Sequence, residues 1–275
     1  MKTRLFLTAF LAGAALLVSC DDDYVRVDSS IKKTFKNQYP NAKRVEWERK
    51  ADFYVADFRI GGSDAEAWYT HGGAWRMTET DIVYVALPDA VRSNFESGDY
   101  STWRIDDIDK VERNGLETVY VIEVERGEAE YCLYYSADGL LIKAVHESHS
   151  GSYDYLPTES PSAIDAYIAQ HYPGARIVER EFEKGMIEVD IVDGTTIREL
   201  TFTPDGEWVG TKTEVRYTSV PEVVRTALSA SDYGTWQVDD TDFHQTPTGD
   251  YYLFELEKGE LDVYLRIDTA GNILQ

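Results

Sequence analysis

The chain has 275 residues, with 27 Lys or Arg against 50 Asp or Glu, a formal net charge of −23. So acidic a molecule repels phosphate backbones, which excludes nucleic acid as a partner class. Its length allows one large domain or two small ones.

The N-terminus opens with Lys2 and Arg4, followed by an apolar run from Leu5 to Val18 that is too short for a comfortable bilayer span. Residues 1–19 read as an export signal peptide and are set aside from the fold. The run ends in Leu17-Val18-Ser19-Cys20, which resembles the lipobox of bacterial lipoproteins. That resemblance implies Cys20 as the lipid-modified first residue of the mature protein, with residues 20–29 as its tether. The alternative is an ordinary export signal with an incidental cysteine. Asp21-Asp22-Asp23 resembles the surface-export signal of Bacteroidetes lipoproteins, and equally reads as a solvated linker. Acyl chains would supply the membrane affinity, so the folded part needs none. Loss of Lys2 and Arg4 brings the mature charge to −25 and leaves Cys132 without a disulfide partner.

The predicted elements follow a repeat. Tyr39-Pro40 and Tyr172-Pro173 lie 133 residues apart, as do Trp75 and Trp208, Pro88 and Pro221, Trp103 and Trp236, and Asp106-Asp107 and Asp239-Asp240. The offset falls to 132 by the hairpin Val119–Gly139, which returns as Tyr251–Gly271. The mature chain is therefore a tandem duplication. The first half is 30–148, with units at 30–82 and 87–147. A linker at 149–159 leads to the second half, 160–275, with units at 160–215 and 220–275.

Each unit opens with a short helix. Ile31, Phe35 and Tyr39 form one apolar stripe, repeated as Ile164, Ile168 and Tyr172 behind Ser160 as N-cap. Val91/Phe95 and Val224/Leu228 follow Pro88 and Pro221, and Pro40 and Pro173 stop the odd-numbered helices. Four strands come after each helix: near 42–48, 52–60, 65–70 and 75–79 in the first unit, and near 103–112, 118–126, 128–135 and 140–147 in the second. The class is α+β, with antiparallel sheets covered on one face by short helices. Alternation puts Ile122, Val124, Phe254 and Leu256 on the helix-packed face. It puts Trp68, Cys132, Tyr134, Tyr251 and Tyr264 on the other.

Tyr39-Pro40-Asn41-Ala42 with Trp47, Tyr172-Pro173-Gly174-Ala175, and the turns Asp138-Gly139 and Asp205-Gly206 carry a second resemblance. With the lipobox and the α-β4 units, they resemble the PepSY-like, beta-lactamase-inhibitor-like (BLIP-like) domains of secreted Bacteroidetes proteins. The resemblance covers essentially the whole mature chain and implies two tandem BLIP-like halves. In the inhibitor of that shape an open concave sheet studded with aromatics grips a protein loop, but no inhibitory residue carries over. The second and fourth units use Asp99-Tyr100 and Asp232-Tyr233 in place of the Tyr-Pro turn, so a surface shared by all four units does not follow.

Little else points to chemistry. None of the five histidines recurs at the repeat offset, and His146-Glu147-Ser148-His149 is one residue short of the zinc-protease spacing. Asp106-Asp107-Ile108-Asp109 and Asp239-Asp240-Thr241-Asp242 offer hard ligands for calcium, but alternation sends neighbouring carboxylates to opposite faces. They read first as solvated strand edges. No catalytic residue, metal ligand or cofactor is expected. The nineteen tyrosines suit either strands or an interface. Trp68, Tyr134, Tyr251 and Tyr264 are the expected partner-binding residues. The chain reads as a non-catalytic, lipid-anchored envelope protein of the outer membrane, periplasmic or surface-facing, that binds a protein or peptide with a basic patch. Its membrane contact is through the lipid alone. The alternatives are a carboxylate-dependent envelope enzyme and a calcium-stabilised spacer.

Overall fold

The structure, a computed structural model, describes residues 25–146 and 155–274. The expected signal segment, Cys20, Glu147, His149 and most of the expected 149–159 linker lie outside the described residues.

Among the described residues sixteen strands form two eight-stranded antiparallel sheets in which strand order is chain order. The first sheet runs β1 (Lys43–Lys50), β2 (Phe53–Ile60), β3 (Ser63–Thr70), β4 (Trp75–Asp81), β5 (Arg104–Arg113), β6 (Val119–Arg126), β7 (Ala129–Ser136) and β8 (Leu141–His146). The second runs β9 (Arg176–Glu183), β10 (Met186–Asp193), β11 (Thr196–Phe202), β12 (Trp208–Glu214), β13 (Gln237–Gln245), β14 (Tyr251–Lys258), β15 (Leu261–Asp268) and β16 (Ile273–Leu274). The units of each half therefore share one sheet, joined at β4–β5 and β12–β13.

Helices α1 (Ser29–Gln38) and α2 (Asp89–Ser97) precede the two halves of the first sheet, and α3 (Ser162–His171) and α4 (Glu222–Ala230) those of the second. Each is too short to persist alone and is held by two buried residues one turn apart. These are Ile31/Phe35, Val91/Phe95, Ile164/Ile168 and Val224/Leu228. The cap differs from expectation at α3. Pro161 takes the cap position with no side-chain hydrogen bond, and its carbonyl accepts the Ile164 N–H at 3.0 Å. Ser160 instead accepts a hydrogen bond from Arg180 Nη1 at 2.9 Å. Proline loses nothing there, because the first amides of a helix lack intrahelical partners anyway.

The Tyr-Pro turns tie helix to sheet. The Tyr39 hydroxyl lies 2.5 Å from Thr78 Oγ1, which also accepts the Trp75 indole N–H at 2.9 Å. Tyr172, Thr211 and Trp208 repeat the arrangement. Gly139 has a φ of +86° and a Cβ there would sit 2.5 Å from the Ala90 carbonyl oxygen. Only glycine lets the β7–β8 turn rest on α2. Gly271 does the same against Val223 of α4.

Helices and sheets enclose four apolar clusters, one per unit, with Ile122, Val124, Phe254 and Leu256 in the inner layer as alternation predicts. A fifth cluster lies on the other side of the first sheet and includes residues of both halves.

Candidate binding face

Each sheet presents one face to its helices and one away from them. In the first sheet the outer face carries Val55, Trp68, Met77, Val111, Val121 and Tyr134, all buried. Tyr155, Val178 and Val192 pack over them. The outer face of the first half is thus spent on holding the second half.

Polar groups close this junction. Arg113 of β5 donates from Nη1 to Glu179 Oε1 at 2.7 Å and from Nη2 to the Val178 carbonyl, with both side chains buried. Lys143 reaches Glu181 at 2.6 Å and Glu179 at 3.7 Å. Arg176 pairs with Glu117 at 2.7 Å and Asp138 at 2.8 Å, and the Glu117 amide donates to the Ile177 carbonyl at 2.8 Å. Arg76 holds the incoming chain through the Pro157 carbonyl at 2.7 Å. The Tyr155 hydroxyl lies 3.5 Å from Asp109 Oδ2. Burial, and then Glu79 and Asp107, push the Asp109 carboxyl up to about 8.

Two of the four expected partner-binding residues belong to this junction. Trp68 is 0% and Tyr134 3% exposed, so neither offers a free surface. Alternation gave them the correct face but could not show that the chain covers it. Cys132 is buried there too, with its sulfur 4.0 Å from Glu123 Oε1. Tyr251 and Tyr264 lie on the outer face of the second sheet. Tyr264 is 63% exposed and donates to Glu255 at 3.0 Å. Tyr251 is half-buried and stacks on His244, with centroids 4.8 Å apart and planes 5° from parallel. Burial, then Lys212, lowers the His244 pKa.

The two outer faces have equivalent registers but different chemistry. Val55, Trp68 and Met77 lie side by side on β2, β3 and β4, and Glu188, Thr201 and Gly210 do so on β10, β11 and β12. By the same repeat Val111, Val121 and Tyr134 become His244, Leu253 and Arg266. An apolar row has become a mostly polar one, with Glu188 and Arg266 charged, and this face is open.

Its centre is a basin of about 350 Å³ between β8 of the first half and β9–β13 of the second. Glu188, Asp190, Glu199, Glu214, Asp240 and Asp242 line it, along with Lys143 and Lys212. Lys212 is held by Glu199 at 2.6 Å. Burial opposes the charge of Lys143 and of Lys212, but the glutamates beside each outweigh it and raise both pKa values. Burial pushes Asp190 up to about 7 against the pull of Lys143, and burial with Asp240 pushes Asp242 up to about 6. Among the described residues no three His, Cys, Asp or Glu side chains converge as metal ligands do. The β-bulges at Ile105/Asp107 and Val238/Asp240 separate the aspartates of each Asp-Asp pair in register. The basin can neutralise a positive charge.

Sequence alone did not single out this basin or the Arg113–Glu179 pair. A partial signal existed in Val55 becoming Glu188, but Asp190, Glu199, Glu214, Asp240 and Asp242 repeat carboxylates already present at Asp57, Glu66, Asp81, Asp107 and Asp109.

Tandem helix–four-strand units on meandering sheets, with helices on one face only, define a BLIP-like repeat protein. The chain belongs to the family described as "Putative beta-lactamase-inhibitor-like, PepSY-like", whose profile matches residues 23–61, 52–143 and 185–275. Among solved structures it is similar to a BLIP-like protein from Bacteroides fragilis, with 32% identity, 51% of this chain and 99% of that one covered, and a TM-score of 0.45. It is also similar to a DUF2874 family protein from Bacteroides ovatus, with 31% identity, 44% and 88% covered, and a TM-score of 0.42. A third is described as "putative periplasmic proteins" from Bacteroides eggerthii, with 23% identity, 44% and 89% covered, and a TM-score of 0.41. No curated protein matches the sequence. Among the described residues no helix is long and apolar enough to cross a membrane.

Proposed function

We propose that the protein is an exported, non-catalytic binding module, anchored to the outer membrane through a lipid on Cys20. The outer face of its second sheet receives a protein or peptide partner. The observation that carries this reading is the asymmetry of the duplicated faces: one is consumed internally, the other stands open with Tyr251 and Tyr264 on it. Tyrosines of this kind anchor interfaces because they offer a large apolar ring and a polar tip at low entropic cost. The family description, with its inhibitor-like fold, agrees with a binding role. A partner with a basic patch suits the acidic surface, and association should slow as salt rises.

The test is a Tyr251→Ala/Tyr264→Ala double variant. It should keep its melting temperature within a few degrees and lose the partner captured from envelope extract. Capture that survives the double substitution would move the site off this face. A double variant that fails to fold would make these tyrosines structural. For the anchor, Cys20→Ala should release the protein from the membrane fraction; retention would make Leu5–Val18 a membrane anchor.

A further inference from the structure

We propose that the basin on the second sheet receives a lysine or arginine side chain from the partner, so that the partner docks by seating a cation between β8 and β13. This rests on the reading of the second outer face as the binding face, and adds where on it the partner is gripped and by what chemistry.

Two independent observations support it. The first is charge. Lys143 is engaged by Glu179 and Glu181, and Lys212 by Glu199. Glu188, Asp190, Glu214, Asp240 and Asp242 then have no cation at ion-pair distance among the described residues. Carboxylates gathered at this density repel one another, and an added cation relieves each of them. A cavity of about 350 Å³ accommodates one long side chain with room for its flanking backbone.

The second is the other half of the molecule. There the equivalent face is filled by Tyr155, Val178 and Val192, none of them a cation, and the likeness lies in the ion pairs at the edge of the junction. Asp109, the repeat equivalent of Asp242, faces the Tyr155 hydroxyl of the chain laid across it. Across the same junction the carboxylates are met by donors from the opposite half: Arg113 on Glu179, Lys143 on Glu181, and Arg176 on Glu117 and Asp138. Glu179 and Glu181 form the wall of the basin itself. Two of its carboxylates therefore already bind Arg and Lys side chains from outside their own half. Beyond the basin, the stacked His244–Tyr251 pair extends the face with an aromatic platform on which the partner's chain can lie.

The experiment uses the full chain and two probe peptides, Ac-Tyr-Arg-Tyr-NH2 and the same peptide with citrulline for arginine. Binding is followed by amide chemical shifts. The arginine peptide should perturb β10, β12 and β13 around Asp190, Lys212 and Asp242. The citrulline peptide, of the same shape without the charge, should bind at least tenfold more weakly. Asp190→Asn/Asp242→Asn should lose the arginine preference, and Glu214→Gln should weaken it in part. Equal binding of both peptides, or perturbation confined to β14 and β15 around Tyr264, would overturn the proposal. Capture of the partner separates this inference from the one beneath it. If Tyr251→Ala/Tyr264→Ala abolishes capture and Asp190→Asn/Asp242→Asn does not, the face stands and the cation seat falls. If neither matters, both fall.

Discussion

Asp109 and Asp242 show how one position in a duplicated scaffold can acquire two roles. Each is paired in register with the end of the preceding strand, Asp81 and Glu214 respectively. Asp109 is sealed under Tyr155, its Oδ1 without a hydrogen bond among the described residues, and its carboxyl is pushed up to about 8. Asp242 faces the open basin and is pushed only to about 6. An acid whose folded pKa is raised binds its proton more tightly in the folded state. Its contribution is therefore fully present below pH ~4, where an unfolded aspartate titrates, and is lost as pH rises through about 8. Asp109→Asn mimics the protonated acid at every pH. It should stabilise the fold at pH 8.5 by on the order of a few kcal/mol, seen as a higher melting temperature, and change it little at pH 4. A variant less stable than the parent at pH 8.5 would mean that ionised Asp109 is satisfied in the junction.

At the scale of elements, β9 is the strand on which the two halves depend. Its inner positions belong to the α3 core, while Val178, the extra residue at a bulge, turns into the junction. Its carboxylates Glu179 and Glu181 take cations from β5 and β8. Arg113→Ala should cost about 3–5 kcal/mol, because it removes the close partner of buried Glu179 and leaves it only Lys143 at 3.7 Å. Arg113→Met with Glu179→Leu should recover much of that loss, since an apolar pair of similar volume avoids desolvating two charges. Chemical denaturation of the single and double variants checks this. Equal loss in both would assign the cost to packing and not to the stranded charge. The strands themselves were readable in the sequence because each hairpin carries its own signals: alternation on both arms and a glycine turn, as at Gly127 and Gly259. The junction was not readable in the same way. Alternation assigns Trp68 and Tyr134 to a face, but whether water or protein covers that face depends on contacts between residues far apart in the chain. Arg113 and Glu179 are 66 positions apart and share no local motif. Only a comparison of outer-face positions between halves, Val55 with Glu188 or Met77 with Gly210, distinguishes the face that is covered from the one that is free.

For the whole molecule, the duplication has yielded a division of labour. Two halves with free outer faces would each expose an apolar or charged sheet. Here the first half contributes an apolar face that fastens the second, and the second keeps a polar face for solvent or a partner. The fifth apolar cluster is continuous across the halves, so they should unfold as one cooperative unit. Val121 is central to it, fully buried on β6, with β5 and β7 beside it and Val119 two residues along the same strand. A carboxylate there would be buried and would face Asp109 directly across the ladder. Val121→Glu should therefore weaken docking of the halves more than it weakens the helix-side cores, which lie on the opposite face of the sheet. Calorimetry of the parent should show one transition. In Val121→Glu it should divide into two, with the later one assigned to whichever half holds together better alone. The variant should also bind a hydrophobic dye below its first transition, because the uncovered outer face of the first sheet is apolar. A parent that already melts in two steps would show that the junction contributes little coupling. A variant that melts in one lowered step would show that the outer face is needed for the first half to fold at all.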